Sequence, residues 1–136
     1  MKKIFYLILA IHFLSNILYA QSNEKLRLLQ AGKLEQFTRE GEVVKKLTKD
    51  IHFRKGDVDL KCELAYWYEK RNRAEFFIDV IVTNKDRTLT ADSLIYLTDK
   101  NIIRSYGKPV LRDTTGRISA DTLIYNVDEE IFYCRG

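Results

Sequence analysis

Apolar and polar positions repeat along the chain at a nearly constant spacing. The segment 89–96 reads Leu-Thr-Ala-Asp-Ser-Leu-Ile-Tyr, and the segment 118–125 reads Ile-Ser-Ala-Asp-Thr-Leu-Ile-Tyr. A third copy at 60–67 and a weaker copy extend the series, so that the copies begin at positions 29, 60, 89 and 118. A period of about 29 residues is the signature of a repeat architecture, so we interpret the chain as a row of similar structural units.

Each unit contains two apolar runs of strand length that are separated by short polar segments, which is the pattern of a β-hairpin. The polar segments contain Asn, Asp, Gly and Thr, which favour turns. They lie at 54–57, 69–72, 83–86, 98–101, 113–116 and 127–130. Eight Tyr, seven Phe and one Trp also favour strands. We therefore predict an all-β domain over residues 21–136, formed by a folded antiparallel sheet of stacked hairpins.

The alternation of apolar residues slips by one position within the repeated segment. Leu89 and Ala91 would share one face of a strand, but Leu94 is out of phase with them. A strand that keeps its apolar side inward across such a slip must bend or form a bulge. We therefore predict a corner at Asp92–Ser93, a second bend near Gly107, and a sheet that is folded along its length around an apolar interior.

The N-terminal part of the chain has a different pattern. Residues 1–20 combine a basic start, an apolar run and a small residue, Ala20, which is typical of a cleaved secretory signal peptide. An uncleaved N-terminal anchor is the alternative. The pattern of residues 22–46 allows a helix or a strand; the repeat favours a strand near 26–35, with a turn at 38–41. We expect an exported protein.

Charge and candidate chemistry argue against several classes of function. The net charge is +4, and +2 without Lys2 and Lys3, which is weak evidence for nucleic-acid binding. His52 is the one histidine after residue 20, and we identify no nucleophile with an evident base and no Gly-rich phosphate loop. Asp92 and Asp121 recur without a second ligand at metal-binding spacing, which favours a role in capping turn amides. We predict no enzyme, catalytic residue, metal or cofactor.

The two cysteines, Cys62 and Cys134, would be compatible with a disulfide in an exported protein. Counting predicted strands places them about five strands apart, which is over ~20 Å at ~4.8 Å per strand. Bridged Cα atoms lie within roughly 7 Å of each other. We therefore predict no bond within the chain: Cys62 is a small core residue, and Cys134 is free or pairs between molecules.

The repeated order of these segments resembles the OstA-like family, which includes the organic-solvent-tolerance N-terminal domain and the lipopolysaccharide-transport protein LptA. The resemblance is carried by 28–31, 56–63 and 120–125, in a register that looks most like the version found in Bacteroidetes-type bacteria, and it covers residues 26–136. It implies a β-taco or β-jellyroll that stacks end to end, carries lipopolysaccharide acyl chains and performs no catalysis.

The chain also departs from the pattern of that family. Gly32 and Glu63 stand where the repeated segment has Asp, and the bends near Lys49 and Ile78 lack the usual glycine. Gly136 falls in the middle of a unit. We therefore expect either a truncated or degenerate copy, or a last strand that a partner completes.

The pattern and the resemblance together predict a periplasmic lipid-transport module that shelters lipopolysaccharide acyl chains in an apolar groove during outer-membrane assembly. The alternative is a structural β-module that binds no lipid and scaffolds a cell-envelope complex. A groove and a core share one apolar composition, so the inward positions are candidates for either role. The groove candidates are Leu60, Trp67, Leu89, Leu94, Tyr96, Ile103, Val110, Ile118, Leu123, Tyr125 and Phe132.

The predicted partners follow from the same resemblance and from the predicted sheet edges. They are lipopolysaccharide, other LptA-like envelope β domains, and further copies of the chain joined head to tail. The edges at 26–35 and 131–136 would pair with these domains by strand addition. No nucleic acid is expected as a partner.

Overall fold

The computed structural model describes residues 24–136, so the predicted signal peptide at 1–20 lies outside the described part. Residues 24–136 form one antiparallel sheet of eleven strands and one short 3-10 helix, at Glu69–Arg71. The strands are β1 (Arg27–Gln30), β2 (Lys33–Arg39), β3 (Glu42–Lys55), β4 (Val58–Tyr68), β5 (Arg73–Asn84), β6 (Arg87–Leu97), β7 (Ile102–Tyr106), β8 (Val110–Arg112), β9 (Arg117–Ser119), β10 (Thr122–Asn126) and β11 (Ile131–Arg135). The prediction of an all-β fold is confirmed. Within these residues, no helix has the length and apolar character needed to cross a membrane.

Four long strands, β3 to β6, bend near their middle and divide the sheet into two halves. On one side of the bends, the strands run in the order β2-β3-β4-β5-β6-β7-β10-β11, which we call half-sheet A. On the other side the order is β1-β3-β4-β5-β6-β8-β9, which we call half-sheet B. The sheet folds at the bends so that the inner faces of the two halves share one apolar core. This is the predicted fold along the length of the sheet.

The bends recur with the period of the sequence repeat, as pairs of residues with left-handed backbone angles. The pairs are Lys49–Asp50 (φ 70° and 49°), Ile78–Asp79 (φ 66° and 53°) and Gly107–Lys108 (φ 73° and 53°). In the ladders between β3 and β4 and between β5 and β6, each pair lies opposite one residue of the neighbouring strand. Two residues against one is the geometry of a β-bulge, which bends the strand.

Hydrogen bonds from the neighbouring strand hold these corners. The carboxylate of Glu63 accepts a hydrogen bond of 3.1 Å from the backbone N–H of Asp50. The backbone N–H of Asp92 donates to the carbonyl of Gly107 at 3.3 Å. The corner predicted at Asp92 and the bend predicted at Gly107 are therefore confirmed. Capping by an acidic side chain is observed at Glu63, whereas Asp92 contributes its backbone.

The strand predicted at 26–35 is two strands, because the chain turns at Ala31–Gly32. The N–H of Gly32 donates to the carbonyl of Lys49 at 2.7 Å, and a Cβ atom at Gly32 would lie 2.9 Å from that of Lys49. Close contact with the corner at Lys49–Asp50 of β3 therefore interrupts the predicted strand. The turn predicted at 38–41 is shorter than expected, because β2 pairs with β3 as far as Arg39.

Candidate functional site

The candidate site is the apolar interior between the two half-sheets. Seven of the predicted groove residues are buried there: Leu60, Leu89, Leu94, Tyr96, Ile103, Leu123 and Tyr125. Trp67 and Phe132 are half-buried and pack against this core. Ile118 lies on β9, opposite Leu111, and is 46% exposed. Because directly opposite residues share a face of the sheet, ten of the eleven predicted residues lie on the inner face, with Ile118 at its exposed edge.

Val110 is the exception, and its predicted position is wrong. It pairs with Thr90 and is only partly buried, whereas its neighbour Leu111 pairs with Leu89 and is buried. Alternate residues of a strand face opposite sides, so Val110 lies on the outer face. The left-handed pair that ends at Lys108 shifts the alternation by one residue.

The interior also contains residues that are not among the predicted groove candidates, because in this part of each unit the prediction chose only Val110, one residue out of phase. Phe53, Val82 and Leu111 recur with the period of the repeat, lie opposite inner residues of the neighbouring strands, and are buried. The period that identified the repeated segment would have found them in the returning strands.

Aromatic rings close the interior between the half-sheets. Phe53 of half-sheet B meets Trp67 and Phe76 of half-sheet A edge to face, with ring centroids 5.2 Å and 5.5 Å away. Within half-sheet A, Tyr125 stacks on Phe132 at 4.4 Å. Edge-to-face and stacked pairs of this kind stabilise a core beyond the burial of their area. The interior is therefore filled by side chains in this state.

Buried polar groups in the interior have partners. The Tyr96 hydroxyl donates to the side chain of Asn101, which in turn donates to Asp128 at 2.6 Å. Burial raises the pKa of Tyr96 and keeps its hydroxyl neutral. Ser105 lies on the inner face among apolar residues, and its hydroxyl donates to the carbonyl of Leu123 at 2.9 Å.

The openings to the interior lie along the seam, which we define as the line where the free margins of the two half-sheets meet, opposite the corners. The larger cavity has a volume of about 650 Å³ and is bounded by Leu26, Lys55, Trp67 and Asn101 among others. The smaller has about 360 Å³ and also contacts Lys55 and Asn101. Most of the lining residues are polar or charged, while Leu26 and Trp67 connect the larger cavity to the apolar core.

Hydrogen bonds join the two margins across this seam. The amide nitrogen of Asn84, on half-sheet B, donates to the Tyr125 hydroxyl of half-sheet A at 2.9 Å, and this contact is buried. The ammonium of Lys55 donates to the side-chain oxygen of Asn101 at 3.3 Å. Asn84 ends β5 but meets β10, which lies three strands further along the order of half-sheet A. Lys55 ends β3 but meets the turn after β6, which is also about three strands further. Twist rotates the half-sheets so that their margins are offset.

Charged groups cross the seam beside the buried hydrogen bond. The Lys85 ammonium and the Arg87 guanidinium of half-sheet B lie 3.3 Å and 3.9 Å from the Glu130 carboxylate of half-sheet A. The guanidinium also lies 5.3 Å from the ring centre of Phe132. A hydrogen bond that the guanidinium donates to the Tyr125 hydroxyl oxygen raises the pKa of Arg87. Of the described contacts across the seam, most lie in this part of it.

The histidine that the sequence analysis singled out lies on the outer face, away from the interior. His52 Nε2 is 2.6 Å from the Asp59 carboxylate, which also accepts a hydrogen bond of 3.0 Å from Arg54. Burial acts to raise the pKa of Asp59, but the hydrogen bonds from His52 and Arg54 outweigh it and lower that pKa. The group is a surface ion-pair cluster. In residues 24–136, no three His, Cys, Asp or Glu side chains are placed to hold a metal ion.

The two cysteines are unpaired and lie in different environments. Cys62 is buried at the corner of β4, where burial raises the pKa of its thiol to about 12. Its Sγ lies 3.4 Å from the carbonyl of Leu64. Cys134 is exposed on β11.

The ends of the sheet carry strands with one neighbour each. Among the described residues, β1 and β2 pair with β3, β9 pairs with β8, and β11 pairs with β10. Tyr133 on β11 is 57% exposed, and Leu34 on β2 is 52% exposed. The edge regions predicted at 26–35 and 131–136 are therefore edges, and β9 is a further edge that the sequence analysis did not anticipate.

Comparisons with known proteins agree with this architecture. The sequence pattern of the OstA-like protein family matches residues 23–135. The fold is similar to the crystal structure of LptH from Pseudomonas aeruginosa, described as the LptA homologous periplasmic component of the conserved lipopolysaccharide transport device. The TM-score is 0.72 at 12% sequence identity, over 83% of this chain and 84% of LptH. No curated protein sequence matches the chain.

Proposed function

The chain belongs to the OstA-like family, and on that basis we propose that it is a periplasmic lipid-transport module that shelters the acyl chains of lipopolysaccharide during outer-membrane assembly. Membership of this family agrees with the prediction that the chain is not an enzyme. The proposed mechanism is passive. Acyl chains leave water for the interior between the half-sheets, and no bond is made or broken.

The observation that carries the proposal is the continuous apolar inner surface beneath a seam that hydrogen bonds and ion pairs close in residues 24–136. Phe53, Leu94 and Leu123 belong to a single core cluster that spans both half-sheets. Burial of apolar area gains about 25 cal/mol per Å², whether the partner is a side chain or an acyl chain. An acyl chain that inserts between the half-sheets would therefore replace side-chain contacts with contacts of the same kind.

The likeness to LptH supports the choice of ligand and compartment. LptH is the periplasmic component of a lipopolysaccharide transport device, and the two chains share a fold over most of their lengths. We extend the periplasmic location and the lipopolysaccharide ligand to this chain as part of the proposal. Cleavage after Ala20 would deliver the domain to that compartment, and the N-terminal sequence of the exported protein tests it.

The proposed partners of the domain are other LptA-like β domains, including further copies of this chain. The exposed edge strand β11 and the edge strands β1 and β2 lie at opposite ends of the sheet. Head-to-tail pairing of one end with the other would extend the sheet and align the interiors. Sedimentation that depends on protein concentration is the expected sign of self-pairing.

A second candidate function is the structural module that binds no lipid. The observation that favours it is the filled interior, in which Tyr96 is 0% exposed and Tyr125 is 2% exposed. If these rings never move apart, the domain has a core rather than a groove, and its exposed edges would serve only to join envelope proteins.

Photo-crosslinking separates the two candidates. A photoreactive amino acid at Leu94 or Leu123 reports on the interior, and the same residue at Glu40 or Lys108 reports on exposed positions away from the seam. We expect lipopolysaccharide to crosslink at the two interior positions and not at the two exposed positions, in variants whose circular dichroism shows a folded sheet. Equal labelling at all four positions, or labelling at none, would reject lipid transport and favour the structural module.

A further inference from the structure

The contacts that bridge the seam concentrate at the end of the molecule near β10 and β11. There, one buried hydrogen bond and two ion pairs connect the margins. We propose that these contacts are a latch, which must open before an acyl chain enters, and that the ligand which opens it is an acyl amphiphile with an anionic head group. The seam latch consists of Asn84, Lys85 and Arg87 on half-sheet B and Tyr125, Glu130 and Phe132 on half-sheet A. The inference rests on the proposed function.

The filled interior makes separation of the half-sheets necessary. Phe53, Phe76, Leu94 and Leu123 are each at most 1% exposed, and the two cavities described above lie at the seam rather than beneath it. Protein interiors are as densely packed as organic crystals. An acyl chain therefore has no space between the half-sheets until their margins move apart.

The fold permits this movement with little loss of strand pairing. The half-sheets are joined through the corners, where the ladders already shift register. Each half keeps its own ladder when the margins separate. The paired left-handed residues, such as Lys49–Asp50 and Ile78–Asp79, can act as hinges, because hinges are short segments that absorb changes in φ and ψ.

The latch residues are the groups that change partners on opening. The Asn84–Tyr125 hydrogen bond is buried when the seam is closed, and water can replace it when the seam opens. Separation also releases Lys85 and Arg87 from Glu130. A phosphate or carboxylate head group could then take the place of Glu130, while its acyl chain occupies the interior. This exchange selects anionic amphiphiles over neutral ones.

The first test compares two variants that each remove one tyrosine hydroxyl. Tyr125→Phe breaks the buried hydrogen bond with Asn84 across the seam, whereas Tyr68→Phe breaks the hydrogen bond of 3.3 Å that Arg39 donates to Tyr68 within half-sheet A, outside the core cluster. The probe is a fluorescent long-chain fatty acid, and the readout is its rate of uptake by the folded protein. We expect uptake about fivefold faster in Tyr125→Phe, as for loss of one net hydrogen bond in the closed state, and little change in Tyr68→Phe.

The second test concerns the charges. Glu130→Gln removes both ion pairs of the seam, and Glu35→Gln is the control, because Glu35 has similar exposure and pairs with Lys33 on its own strand. We expect faster uptake of the fatty acid in Glu130→Gln only. In Arg87→Gln, we expect the preference for the fatty acid over its uncharged methyl ester to decrease several-fold.

The outcomes separate the latch from the proposed function. Equal uptake rates in wild type, Tyr125→Phe and Tyr68→Phe would overturn the latch while lipid binding stands. No uptake in wild type together with uptake in Tyr125→Phe would support both. If neither wild type nor any variant binds the probe, the proposed function fails and the latch with it. An unchanged preference for the fatty acid in Arg87→Gln would overturn the anionic-head-group assignment.

Discussion

Ile78 occupies a position where its side chain and its backbone are in conflict. Its φ of 66° is left-handed, a region in which a β-branched residue is a genuine outlier. Its side chain gains little in return, because it is 54% exposed. The corner requires this backbone whatever residue occupies it, since Lys49 and Gly107 adopt the same conformation at the same place in the repeat.

Ile78→Gly should therefore stabilise the protein. Removing the left-handed conformation of a β-branched residue gains about 1–2 kcal/mol of stability. The greater freedom of glycine in the unfolded chain lowers that gain by roughly 0.5–1 kcal/mol. We expect a net gain of up to about 1.5 kcal/mol in the free energy of unfolding in urea. Ile81→Gly, at an exposed position in the extended part of the same strand, is the control and should lower that free energy. A loss of stability in Ile78→Gly would show that the backbone at Ile78 is not strained.

At the scale of the element, each corner depends on close contact between neighbouring strands. Gly107 shows this most clearly: its φ is 73°, and a Cβ atom there would lie 2.5 Å from the Cβ of Asp92. The bend therefore requires both a permissive backbone and the absence of a side chain. Gly116 lies in a turn where an added Cβ would meet nothing within 4 Å.

Gly107→Ala should be strongly destabilising, while Gly116→Ala should be nearly neutral. We expect Gly107→Ala to lower the free energy of unfolding by about 2 kcal/mol or more, from the left-handed backbone and the contact with Asp92. For Gly116→Ala we expect a change within about 0.5 kcal/mol. Thermal unfolding followed by circular dichroism measures both. Equal midpoints for the two variants would show that the corner tolerates a side chain.

At the scale of the whole molecule, stability depends on the packing of one half-sheet against the other. Phe53 belongs to half-sheet B, is 0% exposed, and meets two aromatic rings of half-sheet A. A cavity at this point would weaken the contact between the halves without altering either ladder. The same packing is what an acyl chain must displace under the proposed function.

Phe53→Ala should lower the free energy of unfolding by about 3–5 kcal/mol, the range for a large buried aromatic residue. This is a large share of the roughly 5–15 kcal/mol that holds a typical domain together. Phe37→Ala is the control, because Phe37 is half-buried on the edge strand β2 and should cost much less. Urea denaturation followed by circular dichroism gives both values. Similar losses in the two variants would indicate that the halves are not held together at Phe53.

The alternation of apolar and polar residues predicted the structure correctly where the bend depends on the pattern of a single strand. The slip in alternation at Asp92 predicted the corner, because a strand that buries one face must bend where its apolar residues change parity. The same reasoning failed at Val110, since the shift of one residue arises at the left-handed pair before Pro109. It also failed at Gly32, where a contact with Lys49, distant in sequence, interrupts the strand.

The sequence by itself determined the all-β class, the period of the repeat and most of the inward positions, because alternation and turn chemistry act over a few residues. Only the tertiary structure decided how the two half-sheets meet. Asn84 and Tyr125, far apart in the chain, become partners because twist offsets the margins by about three strands. That offset is the sum of many small rotations along the sheet, and no short stretch of sequence records it.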